Sequence, residues 1–243
     1  LTDADVYENW IDVSGLLMAD PRVVEKPAEM DQITYREIRE LSYMGASVFH
    51  DEAILPVREA RIPINIKNTN RPDDAGTFIV PEFTGSKYKI AGVAGKKNFT
   101  MITLEKALMN REVGFGYKAL GVLSSQGISF EHAPTSIDSM SIVLDERQLT
   151  DQNQAELVVE ELRRVLSPDK IEIVRDLALI AVVSEEFTTT IGLAAVGIDA
   201  LRNAGIGVRL INMGASELNM IVGVQNADYE RTVKALYQAY VAL

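Results

Sequence analysis

A constant offset of 78 residues superimposes two stretches of this 243-residue chain without a gap: Leu123 falls on Leu201, Gly127-Ile128 on Gly205-Ile206, and Met140 to Leu144 on Leu218 to Val222. Such a repeat predicts two copies of one supersecondary unit. In the first copy the expected elements are a strand at Thr100 to Lys106, a helix at Gly114 to Gln126, strands at Ile128 to Pro134 and Met140 to Asp145, and a helix at Gln152 to Leu166. Phe115, Ala119, Val122 and Leu123 fall at i, i+4, i+7 and i+8, a buried helical stripe, and Gly127 stands where a left-handed C-cap is wanted. The second copy predicts a strand at Ala178 to Ser184, a helix at Thr188 to Asn203, strands at Gly207 to Asn212 and Leu218 to Val224, and a helix at Ala227 to Val241. Its first helix is expected to bury Ile191, Ala194, Ile198 and Leu201.

Counting strands gives a topology. Ile171 to Arg175 completes βαββαβ in the first copy, whereas the second copy ends at Leu243 still helical and one strand short. Tyr88 to Val93, ahead of the first copy, can fill that edge, so that the first module is inserted in the second. A three-stranded sheet or pairing with another chain would also satisfy the pattern.

Ahead of the repeat the pattern is α/β. Ala4 to Trp10 alternates like a strand and enters a turn at Asp12 to Gly15, as though the chain starts inside a domain. An amphipathic helix is expected over Thr34 to Met44, a second near Asp51 to Ala60, and a strand through Ile62, Ile64 and Ile66. Asn68 to Gly76 reads as a loop, and Pro81 to Lys87 as a linker. The boundaries expected are therefore 1–84 for this α/β segment, 85–99 for the linker and completing strand, 100–175 for the first module and 176–243 for the second.

Composition removes several classes of function. A net charge of −11 repels phosphate backbones and anionic lipid heads, so nucleic acid and membrane are not expected partners. No apolar run approaches a membrane span, and LTDADVYENW lacks the character of a signal peptide. With no cysteine there is no disulfide or thiolate chemistry, which suits a reducing cytoplasm. The two histidines, His50 and His132, are too few and too separated for a His-rich metal site, and no metal ligands are assigned. Gly114-Phe115-Gly116 lacks the third glycine of a dinucleotide fingerprint.

Several ordered motifs together carry a family resemblance. IDVSGLLMADPRVV (11–24) resembles the TDVxGxxxxDPR nucleotide signature of aspartate kinases, LSYMGASVFH and IKNTNRPDDAGT are similar to the stretches that follow it there, and the repeat resembles tandem ACT modules, with INMGASELNM as an INxGASE-type strand pair. The implied fold is α/β: the end of an amino-acid kinase domain followed by two ferredoxin-like βαββαβ ACT modules. The implied reaction moves the γ-phosphoryl group of ATP, with Mg²⁺, to the β-carboxylate of aspartate, in the pathway to lysine, methionine and threonine. The family's KFGGT lysine–glycine motif and its aspartate-binding elements have no counterpart in these residues. No catalytic residue is therefore assigned, and the chain by itself is expected to be inactive.

The resemblance implies nucleotide contacts at Ile11, Asp12, Leu17, Arg22, Asn70 and Arg71. Ile11 replaces the usual Thr and Leu17 a common aromatic, and Asn70 stands at the family's basic position with Arg71 beside it. Arg22 is the best phosphate donor, since a guanidinium offers two parallel bonds. From the residues alone, Asp12 is equally a turn former and Asp20-Pro21-Arg22 a plain turn with an exposed arginine. The resemblance places an effector at Met109, Val113, Gly114, Phe115, Gly116, Glu131, Thr135 and Ser136. Free N–H groups at a helix start would hold its carboxylate, and Glu131, on the strand face opposite Phe130 and His132, its ammonium group. Glu131 as a solvated strand residue stays open. Arg209 occupies the equivalent place in the second copy, so a cationic amino acid is expected to prefer the first: lysine, with threonine as the other candidate. A homodimer or higher oligomer through the ACT modules is expected. The alternative is a non-catalytic amino-acid-binding and dimerisation subunit.

Overall fold

The computed structural model describes residues 4–46, 56–149 and 154–243. His50, the first half of the helix expected near Asp51 to Ala60 and the first residues of the helix expected from Gln152 lie outside them. The chain divides into two compact units, Leu1–Lys96 with Leu179–Leu243, and Lys97–Ala178. The insertion inferred from strand counting is thus the architecture.

In the first unit, β1 (Tyr7–Ile11), β2 (Gln32–Thr34), β3 (Ile64–Asn68) and β4 (Thr77–Val80) form a sheet of order β1-β3-β4-β2, with β1 parallel to β3 and β3 antiparallel to β4. The short strands β2 and β4 carry too few residues for a period to show in sequence. Ile33, Ile64, Ile66 and Ile79 are fully buried in this layer. Helix α1 (Tyr35–Tyr43) starts where expected because Thr34 and Glu37 make a reciprocal capping box: the Glu37 backbone N–H donates to Thr34 Oγ1 at 3.1 Å and the Thr34 N–H to Glu37 Oε2 at 2.9 Å. Ile38 and Leu41 face inward, as their spacing requires.

The second sheet has the order β6-β5-β7-β9-β8, from β5 (Gly92–Glu105), β6 (Ser139–Asp145), β7 (Lys170–Val183), β8 (Leu210–Asn212) and β9 (Asn219–Gln225). Four expected strands are really two. Thr100 to Lys106 continues back to Gly92, and Ile171 to Arg175 runs on through Ala178 to Val183, each as one 14-residue strand. The completing strand starts at Gly92 and not at Tyr88, although the Ala91 N–H already donates to Val183 O at 2.8 Å. Lys89 is held instead by its carbonyl, which accepts from Ser184 Oγ at 2.7 Å. Gly95 is required because a Cβ there would lie 2.7 Å from Leu179 O.

The inserted unit packs α2 (Phe115–Ser125) and α3 (Gln154–Leu166) over its strands. Phe115, Ala119, Val122 and Leu123 are buried with Ile102, Leu104, Ile142 and Leu162, as the stripe predicts, and Gly127 has φ 69°. The strand expected at Ile128 to Pro134 is not regular. The Glu131 N–H donates to Val143 O and the Val143 N–H to His132 O, both at 2.8 Å, so two residues oppose one in a bulge.

The second module carries α4 (Leu193–Asn203) and α5 (Tyr229–Val241), which pack together. Here the predicted stripe needs correction. Ile191 is fully exposed and Ile198 half-exposed, while Leu193, Gly197 and Leu201 are buried. Gly192, at φ 83°, turns the chain before the helix begins and leaves Ile191 outside. At Gly197 the missing Cβ admits Met220 Cε and Tyr240 Oη, which would approach it to 2.4 and 2.7 Å.

Candidate functional site

The nucleotide-type site is built from the C-terminal ends of two parallel neighbours, where an open α/β sheet presents ligands. Register pairs Ile11 with Asn68, and Ile11 O accepts from the Thr69 N–H at 2.8 Å and from Thr69 Oγ1 at 3.0 Å. Ile11 is thereby held beside Asn68 and Thr69, the residues that lead into Asn70 and Arg71. Asn68, which sequence reading passed over as a loop residue, is the keystone. It is buried, donates through Nδ2 to Ser14 Oγ at 2.9 Å, and accepts through Oδ1 from the Asn70 N–H at 2.8 Å. Thr77, equally missed, donates to Met30 O at 2.6 Å and accepts from the Leu16 N–H at 2.8 Å. Gly15 lies against it, since a Cβ there would be 2.6 Å from Thr77 Oγ1. Each residue stands at the end of a short strand, and its buried partners come from loops that meet it only in the fold.

The cations of this region are already paired. Arg22 Nε and Nη2 fork onto the Asp20 carboxylate at 3.0, 3.1 and 2.7 Å, with the arginine side chain 83% exposed. That hydrogen bond holds the Asp20 carboxyl below its ordinary range and outweighs its partial burial. A phosphate would have to displace Asp20 to gain the same fork. Arg71 pairs with Asp74 at 3.5 Å, and Lys67 Nζ donates to Asp74 O at 2.6 Å. Leu17 is half-buried and bridges to Glu29. Among the described residues no cluster of three or more His, Asp or Glu groups could hold a metal ion.

The effector-type site lies wholly in the inserted unit. Gly114 at φ 80° is the N-cap of α2, leaving the first amide groups of that helix without a side-chain cap. Val113 beside it is 94% exposed, whereas Met109 and Phe115 are buried in the core and shape the turn from within. Two loops meet here. The Leu108 N–H donates to Asp138 Oδ1 at 2.9 Å and the Asn110 N–H to Ile137 O at 3.1 Å, which ties the 107–116 turn to the turn containing Thr135 and Ser136. Glu112 accepts from Lys106 Nζ at 2.6 Å and Lys118 Nζ at 2.9 Å, and these bonds hold its carboxyl below the ordinary range. Asp138 and Glu112 escaped sequence reading because acidic residues in turns carry no period. The bulge also ends the expected alternation: Glu131 and His132 oppose the same residue, both half-buried, and Phe130 is exposed.

The parallel strand-end site and the repeated βαββαβ modules define the class: an amino-acid kinase segment joined to ACT modules. The amino acid kinase family model matches residues 1–68 and the ACT domain model residues 180–240. The chain is 41% identical over 239 residues to aspartokinase 3 of Bacillus subtilis, covering 98% of this chain and 52% of that protein. The crystal structure of Clostridium acetobutylicum aspartate kinase aligns with a TM-score of 0.91 at 48% identity, over 98% of this chain and 55% of that one. Escherichia coli aspartokinase III aligns in its complex with aspartate and ADP (TM-score 0.79, 26% identity, 98% and 53% of the two chains). It also aligns in its complex with lysine and aspartate (TM-score 0.77, 27% identity, 98% and 52%). The chain is thus similar over nearly its whole length to aspartokinases, and it spans about half the length of the relatives it matches.

Proposed function

We propose that the protein carrying this chain is an aspartate kinase that phosphorylates the β-carboxylate of aspartate with ATP and Mg²⁺, and that its first ACT module senses lysine. The observation that carries the kinase half is the juxtaposition of Ile11 with Asn68 and Thr69, so that the segments running on into Asp12 and into Asn70-Arg71 leave the same ends of β1 and β3. Phosphoryl transfer needs chiefly positioning and cations at the phosphoryl oxygens. In this reading Arg22 leaves Asp20 for a phosphate, and Arg71 serves where the family's basic residue has become Asn70. Acyl phosphate formed by the protein is trapped with hydroxylamine. Arg22→Ala is expected to raise KM for ATP while sparing KM for aspartate, and an unchanged nucleotide dependence removes Arg22 from the site.

The sensing half is supported by the uncapped start of α2 facing a turn held by Asp138, and by lysine in the complex of the Escherichia coli relative. The effector's carboxylate meets the Val113 to Gly116 amides and Glu131 takes an ammonium group. Exposed Leu108, Val113, Tyr117 and Ile137 around this turn suit a two-fold pairing of modules. Calorimetry with lysine and with threonine on the 243-residue chain tests it. Lysine heat is expected, and heat with threonine alone would assign the site to the other amino acid.

A further inference from the structure

The turn that carries the sensing role is braced by three charged side chains to which that role gives no task. Lys106 stands just past the end of β5 and Lys118 in the first turn of α2, with Glu112 between them in the chain. Glu112 accepts from both lysines, through Oε2 and Oε1, so one carboxylate ties the strand end to the helix across Gly114. Lys106 Nζ also donates to Leu166 O at 2.5 Å, one of the carbonyls that the end of α3 leaves without a helical donor. The same ammonium group lies 5.9 Å from the centre of the Phe115 ring. The brace therefore grips both sides of the left-handed residue: Glu112 two positions before Gly114, and Phe115 directly after it.

Two observations separate this brace from ordinary surface ion pairing. The backbone turn does not need it. By the 78-residue offset, Lys106, Glu112 and Lys118 fall on Ser184, Thr190 and Val196, three uncharged residues. Yet Gly192 takes φ 83° where Gly114 takes 80°, and a helix follows each. The second observation is electrostatic. The N-terminal end of a helix disfavours a cation, so Lys118 is set against the field of its own helix, and the first turn of α2 contains no acidic residue to offset it. Glu112 supplies that negative charge from outside the helix. Its carboxylate goes to the two lysines and not to the uncapped amides, which stay available to a ligand.

We propose that Glu112 is the positioning residue of the effector turn: by holding Lys106 and Lys118 across Gly114, it fixes the Val113 to Gly116 amides in the orientation that receives a ligand carboxylate. The ligand is the one of the sensing role proposed above, on which this part rests; the brace itself does not. A turn already fixed loses little freedom on binding, whereas a turn that visits other conformations binds more weakly in proportion to the time it spends in them.

The test uses the 243-residue chain with Glu112→Gln, which keeps the side-chain size, and Lys118→Ala, which removes a side chain 43% exposed, so neither empties the core. Amide hydrogen exchange is read at Met109 to Glu112 and at Phe115, whose N–H groups are all hydrogen-bonded, and lysine binding is read by calorimetry. Glu112→Gln is expected to speed exchange at these amides roughly 3- to 10-fold, the scale of partly exposed ion pairs, and to weaken lysine binding by a similar factor. Ile102 and Leu104, buried in the core of the same unit, are expected to exchange as in the parent, and saturating lysine to return the turn to parent exchange. Lys118→Ala is expected to have the smaller effect, and the double variant to add little to Glu112→Gln. Faster exchange that spreads to Ile102 and Leu104 would mark general loosening and overturn the positioning role. So would an unchanged lysine affinity in Glu112→Gln, or effects that simply multiply in the double variant. If the parent chain gives no heat with lysine or threonine, the sensing role fails and the positioning role with it, while exchange in Glu112→Gln still decides whether the brace holds the turn.

Discussion

Glu37 is the residue at which chemistry and architecture conflict most sharply. Burial pushes its carboxyl above the ordinary value of 4.5, although the Thr34 and Glu185 N–H groups oppose the shift. A raised folded-state value means the folded chain holds this proton while the unfolded chain has released it. The site therefore costs stability increasingly as pH rises from about 4.5 through the raised value, and nothing below it. Glu37→Gln is expected to flatten that part of the pH dependence of thermal unfolding above about pH 4.5, and a profile identical to the parent would disprove it. Asp31 acts in the opposite sense. It is partly desolvated, yet bonds from Ser86 Oγ at 2.7 Å and the Lys87 N–H at 3.3 Å bring its carboxyl below the ordinary range. Its stabilisation is present at neutral pH and lost as pH falls through that lowered value. For Glu131, a charge-assisted bond contributes about 1.5 to 3 kcal/mol, so Glu131→Ala is expected to weaken lysine binding roughly 10- to 150-fold by calorimetry. Asp12, Arg22 and Glu131 were visible as candidates because family motifs carry them. Asn68, Thr77 and Asp138 were not, because their roles come from loops that meet only in three dimensions.

At the scale of elements, helices with a strong stripe and one clear end signal could be read closely, as α1 with its capping box and α2 with Gly127 past its C-terminus demonstrate. Helix α4 could not, since its stripe begins after Gly192 has reversed the chain and uses a glycine as its central contact. Gly197→Ala inserts a Cβ into the space of Met220 and Tyr240 and is expected to cost about 1–3 kcal/mol in denaturant unfolding. Tyr240, whose hydroxyl donates to Leu193 O at 2.9 Å and whose ionisation burial pushes up to about 12, is the partner that would have to yield. Tyr240→Phe tests the same contact from the other side, with an expected loss of about 1 kcal/mol. The merging of four expected strands into β5 and β7 follows a different rule. A strand continues wherever neighbours on either side supply hydrogen bonds, and the local polarity of Gly95 to Asn98 or of Arg175-Asp176 does not interrupt it.

For the whole molecule, the exposed apolar residues at the turn of the inserted unit fit the two-fold pairing proposed above. Sedimentation at micromolar concentration is expected to give a dimer, and Val113→Asp combined with Tyr117→Lys to shift it towards monomer without lowering the unfolding midpoint. A dimer that persists in the double variant would move the interface elsewhere. By itself the sequence determined the repeat, the insertion and the family resemblance, because these depend on periodicity, strand count and ordered motifs that are local in the chain. Only the tertiary structure decided which polar groups are buried and what they hold. Glu37 and Glu40 look like ordinary surface acids of an amphipathic helix until the second module's loops arrive against them. Arg22 looks like a free cation until its backbone turn brings Asp20 into its fork. Hydrogen bonds between segments 150 or more residues apart leave no period in the sequence, and those bonds are what join α1 to the second module.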